Sequence, residues 1–408
     1  MQTDAFAALL TPAGQEVLAR AAEADTTENG ILAAASALRG RYPAELVGAA
    51  LTQTRLRARA AAKFGPDAAR MYFTPHGLEQ STRTAVAAYR AARFTGPVLE
   101  LCCGIGADLL HRARAGVPGD GVDVDPLTVA VAQANLAAFD VGGTASARLG
   151  DALDQDPSRY TEVFADPGRR TSRGRVFDPK SYEPPLDRLL ALAAKAPGAC
   201  VKVAPGIPYE AIPEDASTEW ISEDGDVKEA ALWLGRLAQG PSRKATLLKR
   251  GEVHSLEPDE KTSVPPVREW GAYLYEPDGA VIRAHLVGEA AALVDGGLAD
   301  PRIAYITSDS LIPTPYAAAY EIHEVLPFSV KRLKAALRAH DVGALTLKKR
   351  GFAADLDRLR RDLRPSGTRP GTVVLTRVGD APVALVCAPA SGPGHKSAVQ
   401  DPANNGAR

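Results

Sequence analysis

Val98-Leu99-Glu100-Leu101-Cys102-Cys103-Gly104-Ile105-Gly106 decides the fold of this 408-residue chain. The apolar run reads as a buried strand, and two glycines at Gly-x-Gly spacing let the backbone turn tightly and approach a ligand. Such a strand and loop point to a small nucleoside-like cofactor. Position 109 is Leu, so the third glycine of the dinucleotide fingerprint Gly-x-Gly-x-x-Gly is missing.

Working outward, Gly121-Val122-Asp123-Val124-Asp125 follows about twenty residues on and places a carboxylate at the end of a second strand, where a ribose diol needs an acceptor. A nicotinamide cofactor would be served equally well. Two further units break the tie: Ala145 to Leu149 followed by Gly150-Asp151-Ala152, and Val163-Phe164-Ala165 followed by Asp166-Pro167-Gly168-Arg169. Four successive strands thus end in an acidic residue or a glycine turn. Glu100, Asp123, Asp151 and Asp166 are expected to converge on one pocket at the carboxyl rim of a parallel sheet.

This order of motifs resembles the S-adenosylmethionine-dependent class I methyltransferases over roughly residues 70 to 250. The resemblance implies an α/β, Rossmann-like, seven-stranded domain with S-adenosyl-L-methionine as cofactor. It also implies that Glu100, Cys103, Gly104 and Gly106 lie against the methionine part. Asp123, with Val124 beside it, would hold the ribose, and Asp151 with Ala152 would meet the adenine. Thr74 and Gln80 match the segment that covers the cofactor in related enzymes, although Thr74 before Pro75 also fits plain helix capping.

The same resemblance places the chemistry at Asp166, Pro167 and Arg169. In amino-methyltransferases with Asp-Pro-Pro-Tyr loops, the Asp side chain and a Pro carbonyl accept hydrogen bonds from an exocyclic amine while the aromatic residue stacks on the base. Here Arg169 takes the aromatic position, and a guanidinium plane can also stack on a base. Arg169, Arg170, Arg173 and Arg175 crowd the mouth of this site, and their fork geometry suits phosphate. Phe177 and Tyr182 either stack on a base or anchor the loop. A 5-methyluridine enzyme needs a cysteine nucleophile after the fifth strand. Ala204-Pro205-Gly206 stands there, so attack by a nitrogen is expected.

Hydrophobic residues make up 45% of the chain, enough for two or three cores. The four cysteines include no Cys-x-x-Cys, which suggests neither a zinc ribbon nor a disulfide framework, and no metal is expected. Met1 to Phe6 has no basic n-region, and no apolar run approaches the roughly 18 residues needed to span a bilayer. A cytoplasmic protein without membrane association is the expectation.

Residues 1–70 read as a helical domain of three helices, with Pro12 and Pro43 in first turns and Phe64-Gly65-Pro66 as a stop. A further helix is expected from Thr74-Pro75 to Phe94 within a methyltransferase domain of residues 71–250. Its sheet continues through Cys200 to Val203 and strands near 218–221, 230–234 and 246–248, with Trp220 and Trp233 in the core. Residues 251–326 read as a small α+β module containing one helix from Pro277 to Leu293, which the resemblance given next implies is ferredoxin-like, and 390–408 as a disordered tail.

Residues 327–389 form a basic module. Between 327 and 370 there are twelve Lys and Arg against four Asp, a net +8 within a chain of net −1. This is the footprint expected for phosphate-backbone binding. Leu345-Thr346-Leu347-Lys348-Lys349-Arg350-Gly351 and two terminal strands resemble the THUMP-like domain joined to methyltransferases of actinobacterial type. THUMP domains recognise structured RNA, so the resemblance implies tRNA or rRNA as partner, with Lys348, Lys349 and Arg350 as contacts alongside Arg170, Arg173 and Arg175. The function expected is methylation of a base nitrogen in RNA. A small-molecule or protein methyltransferase, or a catalytically silent RNA-binding protein, are the alternatives.

Overall fold

The structure, a computed structural model, describes residues 2–27, 29–168, 170–171, 174–175 and 182–390. Two compact units divide at Val253/His254.

The first unit opens with four helices, α1 (Thr3–Leu9), α2 (Pro12–Glu23), α3 (Ile31–Arg39) and α4 (Ala44–Phe64), one more than the prolines suggested. Thr11 caps α2 by accepting from the Gly14 N–H, with Pro12 in the first turn, where its missing N–H costs nothing. Gly65, at φ +55°, ends α4. The helix expected from Thr74 to Phe94 is two, α5 (Pro75–Gln80) and α6 (Thr84–Ala91). The break falls at Ser81-Thr82-Arg83, because Thr82 turns inward to a buried polar network instead of continuing the helix.

A sheet of nine strands follows, against the seven-stranded domain that the resemblance implied. These are β1 (Val98–Leu101), β2 (Gly119–Asp123), β3 (Ala145–Leu149), β4 (Glu162–Ala165), β7 (Gly198–Val203), β8 (Ser217–Glu223), β9 (Asp226–Gly235), β10 (Arg243–Lys249) and β11 (Glu252–Leu256). A separate ribbon pairs β5 (Arg170–Thr171) with β6 (Gly174–Arg175). The sheet order is β11-β10-β8-β9-β7-β4-β1-β2-β3. β1 lies between β2 and β4, parallel to both, while β9 runs antiparallel to β7 and β8. The strand expected near 246–248 is β10, parallel to β8, and the strand not expected is β11 at the edge.

Helices α7 (Ala107–Arg114), α8 (Pro126–Ala138) and α9 (Leu186–Ala193) make the crossovers. On one side, Phe6, Leu9, Val17, Val47 and Phe73 share a core with Leu109, Leu110, Val131 and Leu136. The residues expected as a separate domain, 1–70, therefore cover the sheet's own helices. Elsewhere Phe94, Phe164, Cys200 and Trp233 pack together, each large side chain contributing about 1.5–3 kcal/mol by burial.

In the second unit, β12 (Tyr273–Pro277), β13 (Gly297–Asp300), β14 (Ile303–Ser308), β15 (Ala317–Pro327), β16 (Val342–Lys349), β17 (Arg369–Val378) and β18 (Ala381–Pro389) form one sheet, ordered β13-β14-β12-β15-β18-β17-β16. The expected border at 326/327 falls at the end of β15, which pairs with β12 on one side and β18 on the other. The two expected modules thus share one sheet. The single helix expected from Pro277 to Leu293 is α10 (Gly279–Arg283) and α11 (Val287–Leu293), interrupted at His285, φ +56°. Helices α12 (Val330–Ala339) and α13 (Leu356–Leu363) bury Leu333, Leu337, Leu359 and Leu363 against Leu345, Leu347, Val373 and Leu375.

Candidate cofactor cleft and reaction site

A cavity of about 790 Å³ opens at the carboxyl ends of β1, β2, β3 and β4, inside the usual size range of small-molecule sites. Glu100, Asp123, Asp151 and Asp166 all line it. So do Thr74, Gln80, Cys103, Gly104, Val124, Ala152 and Pro167.

The four carboxylates differ in what they already bind. Glu100 is buried on β1 and ion-paired to Arg112 of α7, so it shapes the wall more than it offers a free acceptor. Asp123 accepts from the Gly104 N–H at 3.0 Å through Oδ2 and from the Asp125 N–H at 3.1 Å through Oδ1. Those two bonds lock the glycine loop to the end of β2 and fix the carboxylate at the rim. Next to it Val124 is 65% exposed, an apolar side chain open to the cleft. Asp151 accepts from the Leu153 N–H at 2.8 Å and begins a short turn.

Gly104 adopts φ +56°, and a side chain there would project into open space, so the backbone can be approached closely. Gly106, expected as a cofactor contact, does not line the cavity. It takes φ +77° at the start of α7, and a Cβ there would come within 3.2 Å of Ala132 Cβ on α8; its role is helix packing. Thr74 both lines the cavity and caps α5, accepting from the Gly77 N–H at 2.9 Å.

Asp166, just past β4, meets a residue the motif reading passed over. Lys202 Nζ on β7 lies 2.6 Å from Asp166 Oδ2 and donates to Thr82 Oγ1 at 2.9 Å. Thr82 donates to Asp108 Oδ2 at 2.7 Å, and Arg90 bridges Asp108 to Glu229. Asp108 is held below the usual carboxylate range: burial pushes it up, but Arg90, Lys202 and the Thr82 hydroxyl outweigh burial. Arg90 and Arg112 also lie over the Phe164 ring, at 4.6 and 4.8 Å. The signal for Lys202 was a lysine inside the otherwise apolar strand Cys200-Val201-Lys202-Val203; such a charge is buried only when paired.

Arg169, Arg173 and Phe177 lie outside the described residues, and of Arg170 and Arg175 only the backbone of the β5–β6 ribbon is described. Tyr182 is buried and accepts from the Ala204 N–H at 3.2 Å, which anchors its loop. Burial raises all four thiols; Cys200, pushed up to about 12, sits in the Phe94–Trp233 cluster and not at the cleft.

In the second unit, Lys348 Nζ bonds Glu276 Oε2 at 2.5 Å, Arg350 lies 3.8 Å from the same carboxylate, and Lys349 donates to the Ala354 carbonyl. These three therefore have partners within the fold. Lys331, Arg332 and Arg338 of α12, and Arg358 and Arg361 of α13, are exposed. Among the described residues no helix is long and apolar enough to cross a membrane, and no group of three or more His, Cys, Asp or Glu could hold a metal ion.

A glycine loop after the first strand, an acidic second strand end and Asp-Pro after the fourth define a Rossmann-like methyltransferase. The chain is 38% identical over 351 residues, 82% of its length and 95% of the relative's, to an uncharacterized S-adenosylmethionine-dependent methyltransferase of Mycobacterium tuberculosis, found in strains CDC 1551 and H37Rv. It belongs to the S-adenosylmethionine-dependent methyltransferases. A crystal structure from Porphyromonas gingivalis W83, designated a methyltransferase, shares the fold at TM-score 0.69 and 20% identity, covering 86% of this chain and 92% of that one. Residues 317–389 match a THUMP domain-like family model, and residues 2–60 match a domain of unknown function. The cleft fits S-adenosylmethionine: a close-approach glycine, a carboxylate fixed at the end of the second strand and an apolar neighbour in Val124.

Proposed function

We propose that the protein transfers the methyl group of S-adenosylmethionine to a base nitrogen of tRNA or rRNA. The observation that carries this reading is the presence, in one methyltransferase chain, of a THUMP domain-like region whose exposed helix faces are basic. Resemblance to THUMP domains favours structured RNA as the partner. Lys331, Arg332, Arg338 and Arg361 are better placed than the paired Lys348 and Arg350 to meet phosphates, and the arginines from 169 to 175 remain candidates at the reaction site.

In this reading Asp123 takes the ribose hydroxyls, Asp151 and Ala152 the adenine, and Gly104 with Cys103 the methionine part, while Thr74 and Gln80 close over the cofactor. The bound cofactor supplies an electrophilic methyl on sulfur. As the nitrogen lone pair attacked that methyl in line, the methyl–sulfur bond would break and S-adenosylhomocysteine would leave, so this chain's residues have to hold the amine close, accept the charge that develops on it and let its proton pass to solvent. Asp166 Oδ2 is tied to Lys202, which fixes the carboxylate and leaves Oδ1 as the acceptor for the amine. The Pro167 carbonyl takes a second N–H. Arg169, outside the described residues, is the candidate for stacking on the base.

Total tRNA and rRNA incubated with protein and S-adenosylmethionine, then digested and analysed by nucleoside mass spectrometry, tests this. A methylated purine nucleoside is expected, and Asp166→Asn should lower turnover by about 100-fold or more while cofactor affinity stays near wild type. If neither RNA gains a methyl group, the proposal fails.

A further inference from the structure

A second cavity, of about 400 Å³, adjoins the cofactor cleft; Glu79, Gln80 and Ser81 line both. Five cations line it: Arg59, Lys63, Arg83, Lys202 and Lys228, against the carboxylates Glu79 and Glu229. Its placement follows from helix geometry. Arg59, Ala62 and Lys63 stand at i, i+3 and i+4 on α4, one face of the helix, with the small Ala62 leaving room between two long cations.

Several of these charges are already matched. Lys202 pairs with Asp166, Arg83 lies 3.4 Å from Glu223, Lys228 lies 3.2 Å from Asp226, and Glu229 is committed to Arg90. Lys63 is different: its described partners are the carbonyls of Leu78 at 2.7 Å and Glu79 at 3.2 Å, two acceptors for three N–H donors. Its ammonium is pushed down to about 8 by burial, then by Lys202 and Arg83, against the weaker pull of Asp166 and Asp108. Arg59 is exposed at the rim. A half-buried cavity with crowded like charges and a spare donor stabilises an anion, and the anion relieves the crowding.

We infer that this cavity is a phosphate subsite, binding a phosphate group of the substrate next to the base presented to Asp166. The inference rests on the proposed RNA substrate, which supplies phosphates beside every base. Lys202 is the joint between the two sites, lining the phosphate cavity while its ammonium holds Asp166. A volume of about 400 Å³ exceeds that of a lone ion and admits the sugar that carries the phosphate.

Full-length protein without cofactor or RNA provides a test independent of methylation. The pH profile of Lys63 acetylation by acetic anhydride is read by peptide mass spectrometry with inorganic phosphate, with a 5′-phosphorylated dinucleotide, and with chloride at matched ionic strength. A bound anion at close range favours the ammonium, so the Lys63 midpoint should rise by roughly one unit or more in both phosphate arms but not in chloride. Arg59→Gln, at an exposed position, should weaken the phosphate effect by about tenfold without lowering the melting temperature. A Lys63 midpoint that is the same in phosphate and chloride overturns the inference, as does an Arg59→Gln protein that retains the full response.

Discussion

Lys202 Nζ on β7 sits 2.6 Å from Asp166 Oδ2 beyond β4, joining the buried polar network beneath the sheet to the mouth of the cofactor cleft. Lys202 is 4% exposed, so its charge is stable there only because Asp166 and Thr82 face it. The carboxylate proposed to meet the amine is thereby held by an element that no motif marks.

Arg90 is the centre of that network. Replacing it with Met leaves Asp108 and Glu229 buried without their cation, and removal of one partner of a buried pair costs about 3–5 kcal/mol. Urea denaturation of Arg90→Met should show that loss, and a change under about 1 kcal/mol would mean the pairs contribute little.

Acid should dismantle the same network. The Asp108 carboxyl titrates lower in the folded chain than its ordinary 3.8, so the unfolded chain binds the proton first. Its contribution is complete above about pH 4 and is lost as pH falls through the depressed folded value. Denaturation midpoints followed from pH 6 to pH 2 should fall steepest below about pH 4 in the wild type, and Asp108→Asn should flatten that limb.

Asp123→Ala removes the proposed ribose acceptor together with the bonds that pin Gly104 and Asp125. Calorimetry should show S-adenosylmethionine affinity reduced by about tenfold or more, the worth of a charged hydrogen bond. Unchanged affinity would displace Asp123 from the ribose.

Cys200→Ser should leave methyl transfer essentially intact, because the thiol is raised to about 12 and lies among Phe94, Phe164 and Trp233. The hydroxyl brings a cost in stability instead, about 1–3 kcal/mol for a buried polar group without a partner. Turnover abolished with cofactor binding retained would restore a cysteine nucleophile.

On α12 and α13 the exposed cations should govern RNA affinity. Log affinity falls with log salt by about 0.7–0.9 per phosphate contacted, so changing Lys331, Arg332 and Arg338 together to Gln should flatten the slope by roughly two to three in a filter-binding series. Lys348→Gln should act chiefly on stability, since Glu276 already holds that ammonium.

Local order along the chain determined the cofactor cleft. Strand, turn and carboxylate recur within short stretches from Glu100 to Pro167, and a parallel sheet brings such strand ends to one edge, so spacing placed the four carboxylates at one rim, while the fold class and the other lining residues followed from the family resemblance those motifs carry. Gly106 shows the limit: its spacing matched the loop, but its glycine serves a backbone at φ +77° and the close approach of α8, a contact between helices distant in sequence.

Only the tertiary structure decided which charges are spent and which are available. Lys348 and Arg350 look as basic in the sequence as Arg332, yet Glu276, more than seventy positions away, neutralises them. Lys202, Thr82, Asp108, Arg90 and Glu229 carry no shared motif and meet only when five separate segments fold together. Hydrophobic periodicity is written locally and can be read residue by residue; the pairing of buried charges depends on long-range distance in a low-dielectric interior, which the order of residues does not spell out.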